Sequence, residues 1–388
     1  MRVAGVVGFK RSLQSASESP ELVAISVLLA AALVVAGWLL VTLLRKHPGE
    51  QFAAVFEDIE EVAILMHPNP DPDAMSCALA AQEIAEAQDT ETSTYYPGQI
   101  RHHENRAFEA VLDVDFVQIE NAKDIEEDWI VLVDHNTPRG FLGADGLNPL
   151  AVVDHHPGDG EGQEFTDVRT TNGACASLFS QYFQHLGWTP LGPDADSENG
   201  SEEIVPPRIS TALLHGIQSD TKHLTNGCSD EEFEAAAFLY RGIDSDKLDR
   251  MANPEIDAES LEVKARAITD RDVLGPFAVS DVGTVSNADA IPQAADELRR
   301  LEGINAVVVL GEKDGTIQLS GRSADDRVHM GKVLGAAVED IPLGNAGGHA
   351  RMGGGQIPVE HMEGLGPSEG TTRAELTERL FEAMNGEI

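Results

Sequence analysis

Val62-Ala-Ile-Leu-Met-His67-Pro-Asn-Pro-Asp71-Pro-Asp73 decides how this chain is read. A short apolar run of the kind that forms a buried strand ends on a loop carrying one imidazole and two carboxylates. Two later stretches repeat the arrangement: Trp129-Ile-Val-Leu-Val133 precedes Asp134, and Ala151-Val-Val153 precedes Asp154-His155-His156. In open α/β sheets the ligand crevice lies at the carboxyl ends of the strands, so three segments deliver acids and histidines to one edge. That many carboxylates cannot gather without cations. The pattern predicts a two-metal hydrolytic site.

Working outward, helix-period sequence follows the first loop over 74–87. Strands are expected at 92–96 and 115–119, and a helix at 104–112. Alternating strands and helices predict an α/β fold with a parallel sheet covered on both faces. An acidic, aperiodic stretch from Pro190 to Pro207 reads as a surface insertion, and a helix from Arg208 to Gln218 ends at Ser219-Asp220. The first globular unit is placed at 50–229, a charged helical connector at 230–271, and a second, smaller α/β unit at 272–388. The second unit contains a glycine-dense stretch, Gly344-Asn-Ala-Gly-Gly-His-Ala-Arg-Met-Gly-Gly-Gly355, before a terminal amphipathic helix.

The chain has 388 residues, 42% of them hydrophobic, so two domains with ordinary cores are affordable within its length. Its charge is unusual: 66 acidic against 27 basic residues, a formal net charge of -39. Such an excess, spread along the whole chain, points to salt adaptation, because strong screening quenches self-repulsion. It also argues against a backbone-gripping partner of long nucleic acid, which needs a basic stripe. Cys77, Cys175 and Cys228 make neither an even set nor a CxxC pair, which excludes a disulfide framework.

Leu22 to Leu44 carries no charge. As a helix it would run about 35 Å, enough for a bilayer core of about 30 Å. The expectation is one transmembrane helix over 22–44 behind an N-terminal segment 1–21, giving a single-pass membrane protein. Arg2, Lys10 and Arg11 on one side balance Arg45 and Lys46 on the other, so flanking charge does not set orientation. Only the expected chemistry places the large domain in the cytoplasm.

Taken singly, the polar residues are unremarkable. An Asp-x-Asp in a Pro-rich loop is usually a turn, a His pair is more often surface or core than ligand, and an Asp at a helix end is common. Their joint placement is what points to metal. Two divalent ions about 3.5–4 Å apart need a shared carboxylate plus terminal ligands. Mixed carboxylate and imidazole coordination suits Mn²⁺, with Co²⁺, Mg²⁺ or Zn²⁺ as alternatives.

His-x-Asn-x-Asp-x-Asp, an isolated Asp after a second strand and Asp-His-His after a third resemble the DHH phosphoesterases. Gly347-Gly348-His349, with Arg322-Ser323 upstream, resembles the DHHA1 domain that follows in one branch. The resemblance covers about Val62 to Ile357. It implies that His67, Asp71 and Asp134 hold one Mn²⁺, and that Asp73, Asp134, His155 and Asp220 hold the other. It also implies that His156 faces the substrate phosphate, that Asp154 orients a neighbouring histidine, and that Arg322, Ser323, Gly347, Gly348 and His349 hold the rest of a nucleotide. His103 and Asn105, in the segment His102-His-Glu-Asn-Arg106, resemble a stretch near the phosphate. Two departures stand out. Pro72 replaces the usual Gly between the two Asp residues, and Asn345-Ala346-Gly347-Gly348 replaces four glycines before His.

The activity implied is hydrolysis of small nucleotides such as cyclic di-AMP, dinucleotides or very short oligonucleotides. The resemblance leaves a homodimer open and disfavours long duplexes. The alternatives are a RecJ-like single-strand exonuclease, which would want aromatic stacking platforms where aromatics are only 5%, and a membrane-tethered nucleotide sensor with a weakened site. Inorganic pyrophosphatases share the metal logic, but Gly347-Gly-His349 speaks against that reading.

Overall fold

The computed structural model describes residues 24–25, 27–31, 33, 46–100, 103–193, 203–325, 327–362 and 370–388. The chain forms two compact units. One takes in residues up to Ile100 together with Phe108–Ala252, the other residues 101–107 and Asn253–Ile388.

In the first unit the elements run α1 (Pro48–Ala54), β1 (Glu61–Leu65), α2 (Pro72–Glu86), β2 (Glu91–Pro97), α3 (His103–Leu112, whose first turn groups with the second unit), β3 (Val117–Ile119), β4 (Ile130–Val133), β5 (Ala151–Asp154), β6 (Phe165–Val168) and α4 (Cys175–His185). A two-stranded pairing of β7 (Thr189–Pro190) with β8 (Ile204–Val205) comes next, then α5 (Pro207–Asp220), α6 (Asp230–Leu239) and α7 (Ser245–Ala252).

The main sheet has the order β3-β2-β1-β4-β5-β6 and every pairing is parallel. The uninterrupted apolar runs follow from this topology, since a central parallel strand is buried on both faces. Val62, Ile64, Val131, Val133, Ala151 and Val153 enter one core layer, while Ala63, Leu65, Ile130, Leu132 and Val152 enter another. The strand order reverses between β1 and β4, and the residues that follow β1, β4 and β5 leave the sheet at that switch point.

The second unit comprises α8 (Ala258–Thr269), β9 (Arg271–Leu274), β10 (Phe277–Thr284), α9 (Ala290–Leu298), β11 (Ala306–Lys313), β12 (Thr316–Ser323), α10 (Met330–Val338), β13 (Asn345–Gly348), β14 (Met352–Pro358), α11 (Val359–Met362) and α12 (Arg373–Asn385). Its sheet, β13-β14-β12-β11-β10-β9, is antiparallel except at β10–β11. The glycine-dense stretch, which offered no strand signal, forms the β13–β14 hairpin. Gly348 has φ of 141°, a conformation open to glycine.

The expected transmembrane helix and single-pass membrane localisation are corrected here. Among the described residues no helix is long and apolar enough to cross a membrane. Within 22–44 only residues 24–25, 27–31 and 33 are described, all of them helical; the rest of that stretch lies outside the described residues. Most of the acidic insertion, 194–202, lies outside them as well. Cys77 and Cys175 are buried free thiols and Cys228 is a partly buried one.

Candidate metal centre

Six side chains from four segments of the first unit meet at the carboxyl ends of β1, β4 and β5. Asp71 caps α2: one of its oxygens accepts from the backbone N–H of Asp73 and of Ala74, each at 3.1 Å. Pro72 occupies the first helical turn, where its missing N–H costs nothing, so the departure from Gly starts the helix at once. The other Asp71 oxygen lies 3.7 Å from His67 Nε2. His67 Nδ1 sits 3.0 Å from the Pro68 carbonyl. A carbonyl can only accept, so Nδ1 carries the hydrogen and Nε2 offers its lone pair to the site.

Asp134 follows β4 directly, with φ of 60°. Asp tolerates this left-handed conformation, which most other residues resist. It turns the carboxylate back over the sheet end, 3.4 Å from His67 Nε2 through one oxygen and 3.4 Å from His155 Nε2 through the other. His155 Nε2 also lies 3.5 Å from Asp220 and 3.9 Å from Asp73. Asp220 reaches the group because Gly216, one turn earlier, lets α5 press against the start of α2. A Cβ there would stand 2.4 Å from Ser76 Oγ and 3.1 Å from the Asp73 Cα.

The ligand-type atoms fall into groups within 4.8 Å: His67, Asp71 and Asp134; Asp73, His155 and Asp220; and Asp134 with His155 and His156. Both oxygens of Asp134 and Nε2 of His155 are buried without a hydrogen-bond partner. Buried polar atoms are almost always paired, and these three are aimed into one space. The donor set fits divalent cations on both sides of Asp134.

Charge crowding agrees. Burial, reinforced by the Asp71 charge, pushes the Asp73 carboxyl up to about 7. Burial together with Asp73 and Asp71 pushes Asp220 to about 8. Burial and the Asp73 charge raise Asp134 well above the carboxylate range. Burial disfavours the His67 imidazolium, but with no ion between them the Asp134 and Asp71 carboxylates facing Nε2 outweigh it and raise its pKa to about 11, so a bound cation would displace that proton.

Residues 61–217 match the DHH family, N-terminal domain, and residues 274–365 the DHHA1 domain. The chain thus carries a match to each of the two domains, DHH first and DHHA1 after it. An uncharacterized protein of Methanocaldococcus jannaschii is 33% identical over 308 residues, 79% of this chain and 60% of that one. The cyclic-di-AMP phosphodiesterase GdpP of Geobacillus thermodenitrificans is 25% identical over 323 residues, 74% of this chain and 46% of the relative. The chain thus spans about half the length of the curated relatives it matches. The crystal structure of an exopolyphosphatase-related protein from Bacteroides fragilis covers 87% of this chain and 95% of its own, with a TM-score of 0.62 and 16% identity. At that identity it shows the fold alone.

The DHH motif itself divides its labour. One Asp154 oxygen accepts from the backbone N–H of His155 at 2.7 Å and of His156 at 3.0 Å, and meets His156 Nδ1 at 2.9 Å. Its other oxygen accepts from Asn136 Nδ2 at 2.6 Å. Asp154 is buried and fully partnered, so it is a fixed base plate rather than a ligand. His156 Nδ1 lies 3.6 Å from Asp134, but its bond to Asp154 is shorter, and the half-exposed ring turns Nε2 outward. The Asp154 hydrogen bond raises the His156 pKa above its ordinary value despite partial burial.

In the DHHA1 domain Arg322, Gly347 and Gly348 line a cavity of about 950 Å³ together with Gln318 and Gln356. Most of the Arg322 guanidinium is already engaged within the domain. Its Nε and Nη2 contact Asp296 at 2.7 and 3.2 Å, and Nη1 donates to Ser320 Oγ at 3.0 Å and to the Gly321 carbonyl at 3.1 Å. Of five N–H donors one remains. Ser323 is buried, and its hydroxyl donates to the Asp325 carbonyl at 2.7 Å, away from the cavity lining. His349 is exposed, with its N–H bonded to the Met352 carbonyl. His103 and Asn105 belong to the first turn of α3, which groups with the second unit and not with the metal cluster.

Sequence reading missed α4, although its N-terminal amides hold a ligand. Cys175 N–H donates to one Asp73 oxygen at 2.6 Å and Ala176 N–H to the other at 2.9 Å. It also missed Asn136 and Asn172, whose signal is only their position just after a strand-end motif or before a helix.

Proton linkage gives a first prediction. Ions need both Asp73 and Asp220 ionised, so binding releases protons near neutrality and affinity rises with pH through about 7 to 8. Titration calorimetry in buffers of different ionisation enthalpy should show roughly two to three protons released, His67 included. For the ion-free protein the sign is opposite. Asp220 and His67 hold protons when folded that they give up when unfolded, so stability is lost as pH rises from about 6.5 to 8. Below about 6.5, His135 and His215, depressed by burial to about 3 and about 4, act the other way. Melting temperatures recorded with chelator across that range check the sign.

Proposed function

We propose that this chain is a divalent-metal-dependent phosphodiesterase of small nucleotides: cyclic dinucleotides such as cyclic di-AMP, dinucleotides, or very short oligonucleotides. The observation that carries it is the pair of ligand groups meeting at Asp134, whose two oxygens have no other partner. His67, Asp71 and Asp134 would hold one ion, and Asp73, Asp134, His155 and Asp220 the other, with two Mn²⁺ the first choice and Co²⁺, Mg²⁺ or Zn²⁺ as alternatives. Bound there, such ions would supply positive charge for a phosphoryl oxygen and acidify water.

The protein's own part is positional and protonic. Asp154 orients His156 so that Nε2–H points away from the sheet, where it can donate to a phosphate oxygen or to the departing alkoxide. The DHHA1 cavity would take a base or sugar, with backbone amides near Gly347 and Gly348 approaching anionic oxygens closely. Arg322 would offer one rigidly held donor. A role for His103, Asn105, Ser323 or His349 at the substrate belongs to the same proposal.

The test is product analysis of cyclic di-AMP, linear dinucleotides and long single strands incubated with the protein and Mn²⁺, with and without chelator. Rapid metal-dependent cleavage of the small substrates is expected, with long strands untouched. Preferential digestion of long strands would replace this reading with an exonuclease. Within that assay Arg322→Ala should raise KM by about 10-fold with kcat little changed, the effect of losing one charge-assisted hydrogen bond.

A further inference from the structure

Glu232, in the first turn of α6, is completely buried although it sits in an acidic run, Asp230-Glu231-Glu232. Each of its oxygens meets one obligate donor and one hydroxyl. Ser229 N–H and Oγ lie 2.7 and 2.8 Å from one oxygen, and Ser177 Oγ lies 2.8 Å and Asn172 Nδ2 3.4 Å from the other. Although burial opposes ionisation, these hydrogen bonds keep its pKa below the usual glutamate value. Asn172 Nδ2 also donates to Ser177 Oγ at 3.0 Å.

What Glu232 holds is the segment from Asn172 to Ser177, and that segment faces the ligands. The Asn172 carbonyl lies 3.2 Å from His155 Nδ1. It can only accept, so it fixes the hydrogen on Nδ1 and frees Nε2. Three residues on, the Cys175 and Ala176 amides grip both oxygens of Asp73. Between them Gly173 packs so closely on Gly227 that a Cβ would stand 2.3 Å from its carbonyl oxygen, clamping the segment to the loop before α6. By contrast, His67 is oriented by Pro68 and Asp71 by its own helix, and neither touches this network.

We propose that Glu232 is a positioning residue for one of the two ions: through Asn172 and the start of α4 it sets His155 and Asp73, and leaves the His67–Asp71 side alone. The proposal rests on the two-metal reading. Outer-sphere carboxylates that orient ligands typically contribute about 10- to 100-fold to metal affinity.

The test is Mn²⁺ titration of the full chain, followed by calorimetry and electron paramagnetic resonance, for wild type and Glu232→Gln. Whichever carboxylate oxygen the Gln N–H₂ replaces, it meets a group that can only donate, Asn172 Nδ2 on one side or the Ser229 N–H on the other, so the network breaks with little change in volume. Two equivalents are expected for wild type; the variant should keep one unchanged and bind the second about 10- to 100-fold more weakly. Unchanged binding of both equivalents, in a variant with wild-type circular dichroism, would overturn the proposal, and so would equal weakening of both. A wild type that takes fewer than two equivalents would bring down the two-metal reading itself. Should Glu232→Gln fail to fold, Ser177→Ala removes one hydroxyl, with its contacts to Glu232, Asn172 and the Ala174 carbonyl, and should weaken the same equivalent by about 3- to 10-fold. No change there overturns the proposal too.

Discussion

Asp134→Asn should lose ion uptake and turnover together, while the ion-free variant becomes harder to melt than wild type. Asn is the right replacement because it also tolerates the φ of 60° at this position, so the backbone is left unstrained. Each Asp134 oxygen faces a different ligand group. Removing an outer-sphere partner already weakens a metal by up to about 100-fold, so if Asp134 bridges two ions as proposed, its loss should lower activity by about 10⁴-fold or more. The stability gain comes from deleting a buried acid that has no donor of its own and that repels Asp73 and Asp71. Stabilisation of about 0.5–2 kcal/mol is typical when a functional site is relieved in this way. Calorimetric Mn²⁺ titration and thermal melts with chelator read both effects. Full turnover in the variant would break the bridging assignment.

His156→Gln should behave in the opposite manner, with ion binding intact and kcat reduced by about 10²- to 10⁴-fold, the usual contribution of a positioned general acid. The ring is half-exposed and engaged by Asp154 through Nδ1. The Asp154 contact keeps it protonated above its ordinary pKa. Wild-type kcat should therefore fall on the alkaline side as that proton is lost, and the variant should lack this limb. Asp154→Asn should move the limb to lower pH by removing the charge that holds the proton. The pH profile of kcat, with KM followed in parallel, decides the matter. A variant that keeps the limb would assign the acid to another group.

How far the sequence could be read follows from what each signal depends on. Strand-then-ligand grouping is local, and β1, β4 and β5 fall where the apolar runs place them, with both faces covered. Asp220 was also within reach, because it closes a helix with a clear apolar period. Contacts that depend on packing left no mark. Glu232 lies in a run of acids that reads as a solvated helix start, and only the fold shows that it points inward. The helix α4 begins at Ala174 without a side-chain cap and is buried along most of its length, so neither a capping signal nor an amphipathic stripe announces it. The β13–β14 hairpin is built from glycines with low strand propensity and is held by pairing to β12. Arg322 shows the same limit from the other direction, since a lone arginine above a cavity looks free until Asp296 is seen beside it. The apolar run at 22–44 was the converse error: composition alone suggested a span that no described helix supplies.

The parallel order of the main sheet bears on how the protein acquires its chemistry. His67 and Asp220 lie far apart along the chain, and every crossover between them must be complete before their two ligand groups can meet at Asp134. Non-local pairings of this sort form slowly. Ion capture would consequently report on the finished domain: a nascent or nicked chain would hold its helices long before it could gather the ligands of a cation.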